Sequence, residues 1–170
     1  LSMYFLASAN LQEGNMDLAT NQAERFHDLR PNSVQGRKLL AVVRLRQGDY
    51  SSVQRLLQPV IDSDPEDVDA LNLASTALLR EGKTSEAIAL LARVVELQPD
   101  SAEAKVRLGA GMLMDGKGDA AQPIQTALEM DPDQPMADML LVLNHLQNDD
   151  FPAAIKAAKA YQRSNPESTT

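Results

Sequence analysis

The chain has 170 residues with no cysteine and no tryptophan, and aromatic residues make up only 4% of it. The lack of cysteine excludes a disulfide framework, a thiolate nucleophile and a cysteine-based zinc site. The shortage of aromatic residues argues against a large aromatic core. No apolar run approaches the roughly eighteen residues that a membrane helix needs, so we expect no membrane insertion by this segment.

The net charge restricts the classes of partner that the chain can bind. The formal net charge is −8, which argues against a nucleic-acid partner because phosphate is met by a basic surface. The charge is also uneven: residues 1–60 hold seven Lys or Arg against five Asp or Glu, whereas residues 61–170 hold nine against nineteen. Any anion-binding surface is therefore expected in the first part of the chain.

Prolines and glycines recur at a nearly constant spacing. The prolines are Pro31, Pro65, Pro99, Pro132 and Pro166. The glycines are Gly14, Gly48, Gly82 and Gly116. The glycines keep one constant interval and the prolines share it, except that Pro132 comes one position early. In the fifth unit Asn148-Asp149-Asp150 stands where glycine would, and these residues also tolerate a tight turn.

Each unit shows two amphipathic helical patterns, such as 34–47 and 50–63 in the second unit. Gly48 separates them, and Asp49 is a predicted N-cap of the second helix, with Asn15 and Asp150 in the equivalent places. Asn32-x-x-Gln35 and Asp100-x-x-Glu103 resemble capping boxes at the start of the next unit. Pro59 is predicted to kink or shorten its helix, and Pro123 to delay the start of its own.

This pattern resembles the tetratricopeptide repeat, a helix–turn–helix unit of about 34 residues. The resemblance implies an all-α fold, a right-handed superhelical solenoid of about five hairpins. It gives repeats at about 1–32, 33–66, 67–100, 101–133 and 134–167, one array that we expect to be part of a longer protein. The family's small residue at the hairpin crossing is matched by Ala7, Ala41, Ser75 and Gly109, and Val142 departs from the rule.

Catalytic and metal-binding patterns are weak, so we predict no enzyme activity, metal or cofactor for this segment. His27 and His145 are far apart and lack a metal-ligand spacing. The acidic run 62–69 resembles a calcium loop, but it lacks the central Gly and the terminal Glu and is interrupted by Pro65. Its carboxylates suit helix capping instead.

The resemblance implies that the first helix of each hairpin lines a groove that binds a protein or peptide partner. The groove residues by register are Tyr4, Lys38, Val42, Arg46, Asn72, Thr76, Arg80, Arg107, Met114, Met136 and Met139. Lys38, Arg46 and Arg80 form a basic stretch that suits an acidic partner or equally a solvated surface. The later Met-rich stretch suits an apolar partner or equally a core.

Two narrower comparisons refine the expected partner. The carboxylate clamp of some tetratricopeptide domains maps to Lys38, Val42, Leu73, Glu103 and Arg107, of which only the first and last match, so a chaperone tail is disfavoured. The sequences of residues 45–50, 56–59 and 128–135 resemble those of bacterial tetratricopeptide lipoproteins of the PEP-CTERM/exosortase system. That resemblance implies a cell-envelope, periplasmic-side location linked to exopolysaccharide production, with the cytoplasm not excluded.

Three hypotheses follow. The first is a non-catalytic interaction scaffold. The second is an assembly role, in which the apolar first helix and an uncapped last helix pair the chain into a homodimer. The third is a regulatory region attached to a separate enzyme domain.

Overall fold

A computed structural model describes residues 2–116, 119–134 and 136–164. These residues form ten α-helices and no strand. The helices are α1 Ser2–Glu13, α2 Met16–Leu29, α3 Val34–Gln47, α4 Tyr50–Ser63, α5 Val68–Arg80, α6 Thr84–Leu97, α7 Ala102–Asp115, α8 Ala121–Met130, α9 Ala137–Gln147 and α10 Phe151–Ser164. The predicted all-α fold, with two helices in each repeat, is confirmed.

The chain forms two compact units, Leu1–Lys83 and Thr84–Thr170. In the first unit each helix from α1 to α5 packs on the next, and α3 also contacts both α1 and α5. In the second unit each helix from α6 to α10 packs on the next, and α7 also contacts α9. Within each unit the first helices of successive hairpins are therefore neighbours.

The turns within the hairpins have the backbone geometry that the glycine spacing predicts. Gly14, Gly48, Gly82 and Gly116 have φ angles of +80°, +78°, +76° and +66°. Asp149 takes the same place in the fifth hairpin with φ +55°. Aspartate tolerates this left-handed region better than most residues, so the repeat continues without a fifth glycine.

The N-caps agree only in part with the sequence prediction. Asp49 accepts a hydrogen bond from the Ser52 backbone N–H at 3.2 Å, and Asp150 caps α10 in the same way through Ala153, as predicted. The capping boxes at Asn32 and Asp100 are wrong by one residue: the caps are Ser33 and Ser101.

Asn15 is the N-cap residue of α2, as its place in the repeat predicts, but the capping bond is missing. Its side chain donates to Asn10 and Glu13 instead.

Small residues are buried at most of the predicted crossing positions. Ala7 and Ala41 in the first unit are fully buried, and Gly109 in the second is buried, whereas Val142 is half-buried. Ser75 on α5 is 1% exposed. At Gly109 an added Cβ would lie 2.4 Å from Cγ1 of Ile124 on α8. Helix α8 approaches α7 here closely enough that no side chain fits.

The fourth hairpin is irregular in the predicted way. Its second helix, α8, begins at Ala121 and has ten residues, against fourteen in each of α2, α4 and α6. Pro123 is the third residue of α8, in the first turn, where its missing N–H has no intrahelical partner. Pro59 does not shorten α4, which continues to Ser63, because Pro59 and Arg55 are both exposed and water can solvate the freed Arg55 carbonyl.

Candidate partner-binding surfaces

In each repeat, the predicted groove positions are side chains four residues apart on the first helix of the hairpin. On α3 these are Lys38, Val42 and Arg46, and on α5 they are Asn72, Thr76 and Arg80. A spacing of four places them on one helix face. The structure shows how far each side chain in these positions is already engaged within its own unit.

Lys38 is paired within the first unit. Its Nζ atom donates to the Asp67 carboxylate at 3.0 Å and to Asp69 at 3.1 Å. Partial burial alone would lower the pKa of Lys38, but the hydrogen bonds to the two carboxylates outweigh burial and raise it. Burial would likewise raise the pKa of Asp67, yet the Ala70 backbone N–H and Lys38 lower it. The cation of Lys38 is therefore compensated by α5.

The two arginines of the basic stretch differ. Arg46 donates from Nη1 to the backbone carbonyl of Leu11, which ties α3 to the end of α1. Arg80 is exposed and has no hydrogen-bond or ion-pair partner in the parts of the chain that the structure describes. Arg80 thus remains the available cation among Lys38, Arg46 and Arg80.

The other predicted groove side chains of the first unit mostly pack against its core or form hydrogen bonds within their own helix. Tyr4 is half-buried with its ring centroid 5.8 Å from that of Phe26, and Val42 packs against the buried core. Thr76 donates to the Asn72 carbonyl at 2.8 Å. The Asn72 Oδ1 atom is buried without a hydrogen-bond partner in the described residues.

In the second unit three equivalent positions, Met114, Met139 and Leu143, carry exposed apolar side chains, and Met136 is exposed just before α9. The exposed fractions are 58% for Met114, 60% for Met136, 40% for Met139 and 41% for Leu143. We call these four residues the Met-rich surface. Met114 lies on α7, and Met139 and Leu143 lie four residues apart on α9, which packs beside α7. Arg107, also on α7, is paired with Glu103 one turn away at 2.6 Å.

The acidic run serves local structure. Asp67 caps α5, Asp64 accepts from the Glu66 backbone N–H at 3.1 Å, and Asp62 accepts from Gln58. His27 and His145 are half-buried on α2 and α9. No group of three or more metal-ligating side chains occurs within the described ranges.

Two contacts that bear on the candidate surfaces were not predicted from the sequence. Lys38 was assigned to the groove without its partner, although Asp67 stands one full repeat after Ser33 and one before Ser101, in the N-cap register. Asn144 is a 2% exposed polar residue whose Oδ1 accepts from the Ala120 backbone N–H at 3.1 Å. The sequence did contain a sign of this contact, because Asn144 is a polar residue within the apolar pattern of α9.

None of the helices in the described residues is long and apolar enough to cross a membrane.

Structural comparison supports the repeat fold. MamA residues 41 to the end from Desulfovibrio magneticus RS-1 superposes with a TM-score of 0.88 at 18% identity, covering 99% of this chain and 96% of that one. A thermophilic TPR protein of Thermus thermophilus gives 0.72 at 19% identity, covering 98% and 92%. YrrB, described as a TPR protein with an unusual peptide-binding site, gives 0.79 at 16% identity, covering 95% and 84%.

No curated protein sequence matches the chain. A family model described as tetratricopeptide repeat matches residues 38–102 and 116–169, which is more than half of the chain. The chain therefore belongs to the tetratricopeptide repeat family, whose helical-hairpin fold is a scaffold for protein–protein interaction.

Proposed function

We propose that the chain is a non-catalytic scaffold that binds a protein or peptide partner through the Met-rich surface of its second unit. The observation that carries the proposal is the exposure of four large apolar side chains at groove positions, Met136 and Met114 being 60% and 58% exposed. Scattered single apolar residues need no explanation, but neighbouring ones on adjacent helices favour a docking surface.

The chemistry of methionine favours an apolar partner of variable shape. Its unbranched side chain has three rotatable bonds and a polarisable sulfur, so it adapts to irregular surfaces. An amphipathic helix or an extended peptide with apolar anchors is the partner that this surface suits. The peptide-binding site described for the structurally similar YrrB agrees with a peptide partner for this fold.

An acidic contact is proposed at Arg80 alone. Lys38 is compensated by two carboxylates and Arg46 is bonded to the Leu11 carbonyl, so neither presents a free cation to a partner. Breaking these bonds to bind an anion would forfeit interactions within the first unit. The partner's acidic groups, where present, are expected to meet the exposed guanidinium of Arg80.

A paired pull-down tests the proposal. Wild type is compared with Met139→Lys/Leu143→Lys, which places charge on the Met-rich surface, and with Lys38→Glu/Arg80→Glu, which reverses the charge in the first unit. We expect the first variant to lose the partner and the second to retain most of it. Circular dichroism melts of both variants show that loss of binding does not reflect unfolding.

Each other outcome is informative. Loss of the partner only with Lys38→Glu/Arg80→Glu would move the site to the first unit. Retention by both variants would contradict binding at the predicted groove positions.

A second candidate function is assembly with a second copy of the chain. The first hairpin exposes Phe5, Leu6 and Leu18 by 63%, 51% and 56%, and the last exposes Phe151 and Ile155 by 57% and 56%. Apolar faces of this kind are covered by neighbouring hairpins in repeat arrays. Light scattering should show dimers whose fraction rises with concentration; a strict monomer at high concentration would contradict this role.

The cellular setting is proposed from the sequence resemblance. A role in a bacterial envelope system for exopolysaccharide production or protein sorting predicts that the native protein fractionates with the envelope. Recovery of the full-length native protein in the cytoplasmic fraction alone would contradict that setting.

A further inference from the structure

The clefts between one hairpin's second helix and the next hairpin's first helix are bridged by polar side chains. In the first unit, Arg44 on α3 pairs with Glu24 on α2 and donates to Gln47 at 2.9 Å. Gln47 in turn donates to Thr20 on α2 at 2.9 Å. These side chains close the α2–α3 cleft around the guanidinium of Arg44.

The α4–α5 and α6–α7 clefts have bridges of their own. Gln54 on α4 donates to Glu81, just after α5, at 3.4 Å. In the second unit Thr84 and Ser85 on α6 donate to Asp115 on α7. Polar bridging across this cleft is thus a recurring feature of the array.

The α8–α9 cleft is bridged in a different way. Asn144 on α9 accepts from the Ala120 backbone N–H and donates to Asp119, both just before α8. The residues equivalent to those of the α2–α3 cleft make no bridge in the described chain.

Equivalent residues are found by their distance from the turn or from the proline of each repeat. His145 is equivalent to Arg44, since each stands four residues before the residue of positive φ. Gln125 is equivalent to Glu24, since each stands seven residues before the proline of its repeat. By the same register Ala121 replaces Thr20 and Asn148 replaces Gln47. Asn148 turns back along α9 and donates to the Asn144 carbonyl at 2.9 Å.

Three of the four replacements are shorter, and Gln125 has the same length as Glu24. An open cleft of about 400 Å³ lies here, lined by all four replacements together with Asp119, Gln122, Asn144 and Asp150. No Lys or Arg occurs among the described residues of its lining. The hydrogen bonds found in the described chain use only Oδ1 of each carboxylate. Asp119 accepts from the Ala121 backbone N–H at 2.9 Å and from Nδ2 of Asn144 at 3.3 Å, and Asp150 accepts from the Ala153 backbone N–H at 3.1 Å.

We propose that the α8–α9 cleft binds a guanidinium group supplied from outside the chain. The α2–α3 cleft holds a guanidinium of its own, whereas His145 takes that register here and carboxylate and amide oxygens line the cleft. A guanidinium is planar with five N–H donors, and it forms charge-assisted hydrogen bonds with carboxylates. The cleft lies on the other side of α9 from Met139 and Leu143, since His145 follows Leu143 by about 200° around the helix.

The inference does not depend on the Met-rich surface. The two sources of the group are an arginine side chain of a partner protein and a small free guanidine compound. Both present the same donors, and the size of the cleft admits a whole arginine side chain.

The test is a titration of the ¹⁵N-labelled chain followed by NMR. The probes are a doubly capped Gly-Arg-Gly peptide, butylguanidinium, and the capped Gly-citrulline-Gly peptide, which keeps the shape but lacks the charge. We expect the arginine peptide to shift the side-chain amides of Gln125 and Asn148 and the backbone amide of Ala121, and citrulline to leave them unmoved. A larger response to the peptide than to butylguanidinium assigns the source to a partner protein.

A double variant places an arginine of the chain itself in the α8–α9 cleft. Gln125→Glu/His145→Arg restores the ion pair of the α2–α3 cleft and should abolish the response while keeping the melting temperature at or above that of wild type. Gln98→Glu/Gln162→Arg is the matched control: it makes the same charge changes at exposed positions and should respond as wild type does.

The proposal is overturned by equal responses to arginine and citrulline, by no response to either guanidinium probe, or by a wild-type response in the double variant that fills the cleft. The citrulline comparison needs no variant, so it decides the question even where a substituted chain folds poorly.

Discussion

The two units repeat the same hairpin yet present different chemistry on their first helices. In the first unit the groove positions of α3 and α5 carry Lys38, Arg46 and Arg80, and the unit itself engages the first two. In the second unit α7 and α9 carry Met114, Met139 and Leu143 at the corresponding places, all at least 40% exposed. The repeat determines where a side chain lies, and its own residues determine whether that side chain is available.

One hydrogen bond between successive hairpins occurs in both units. Arg46 donates to the Leu11 carbonyl, and Gln147, in the same register, donates to the Leu113 carbonyl at 3.3 Å. A groove position two residues before the turn therefore serves the array itself in each unit. Met114, which occupies that place on α7, has no polar group with which to donate such a hydrogen bond.

The largest expected effect concerns the close approach of α7 and α8 in the second unit. Ile124 is fully buried against Gly109, so Ile124→Ala should cost about 2–5 kcal/mol of unfolding free energy. Ile155→Ala, at an exposed position, should change it by about 0.5 kcal/mol or less. Urea unfolding measures both.

The same site offers a sharper double-mutant test. Gly109→Ala should destabilise wild type by about 1–3 kcal/mol because its Cβ meets Ile124. In the Ile124→Ala background that cost should fall or reverse, since the clashing atom is gone. Additive effects would contradict the close packing described here.

A smaller loss of stability is expected at Asn144, a polar residue at a position where α3 carries an apolar one. Asn144 occupies the place that Val43 fills in α3, and it accepts a hydrogen bond from the buried Ala120 N–H. Asn144→Val should cost about 1–3 kcal/mol because that N–H loses its acceptor. Hydrogen exchange at Ala120 should accelerate selectively; unchanged exchange and stability would show that the cap is dispensable.

The smallest effect is electrostatic and belongs to the first unit. Asp67→Ser keeps an N-cap residue, as in Ser33 and Ser101, but removes the main partner of Lys38. We expect a loss of about 1 kcal/mol at pH 7, measured by urea unfolding. Glu103→Gln, which breaks the exposed pair with Arg107, should change stability by less than about 0.5 kcal/mol.

The pH dependence of that effect follows from the pKa shift. The pKa of Asp67 is lowered in the folded chain, so its stabilisation is present above the unfolded value of about 3.9 and is lost as pH falls through the folded value. The difference between wild type and Asp67→Ser should therefore shrink in acid. A difference that persists unchanged at about pH 2 would rule out the ion pair as its cause.

The hairpin architecture was predictable because its determinants are local. Gly48 takes a left-handed φ within its own turn, and Asp49 caps the helix that follows it. The late start of α8 also followed from Pro123 alone. Such features need only the preferences of a few consecutive residues.

The availability of the groove residues was not predictable in the same way. The engagement of Lys38 depends on Asp67, 29 residues later, and that of Arg46 on a carbonyl 35 residues earlier. Pairings between helices depend on how hairpins pack, and a residue pattern within one helix does not report them. The one-residue error at Ser33 and Ser101 has a local cause, since Asn-Ser and Asp-Ser each offer two adjacent capping side chains.

The most direct test of the central claim is oxidation footprinting of the methionines in the complex that wild type forms with its captured partner. Hydrogen peroxide oxidises accessible methionine to the sulfoxide, and mass spectrometry locates the product. We expect the partner to protect Met114 and Met139, while Met130, 40% exposed on α8, is oxidised as in the free chain. Unchanged oxidation of Met114 and Met139, or equal protection of Met130, would contradict binding at the Met-rich surface.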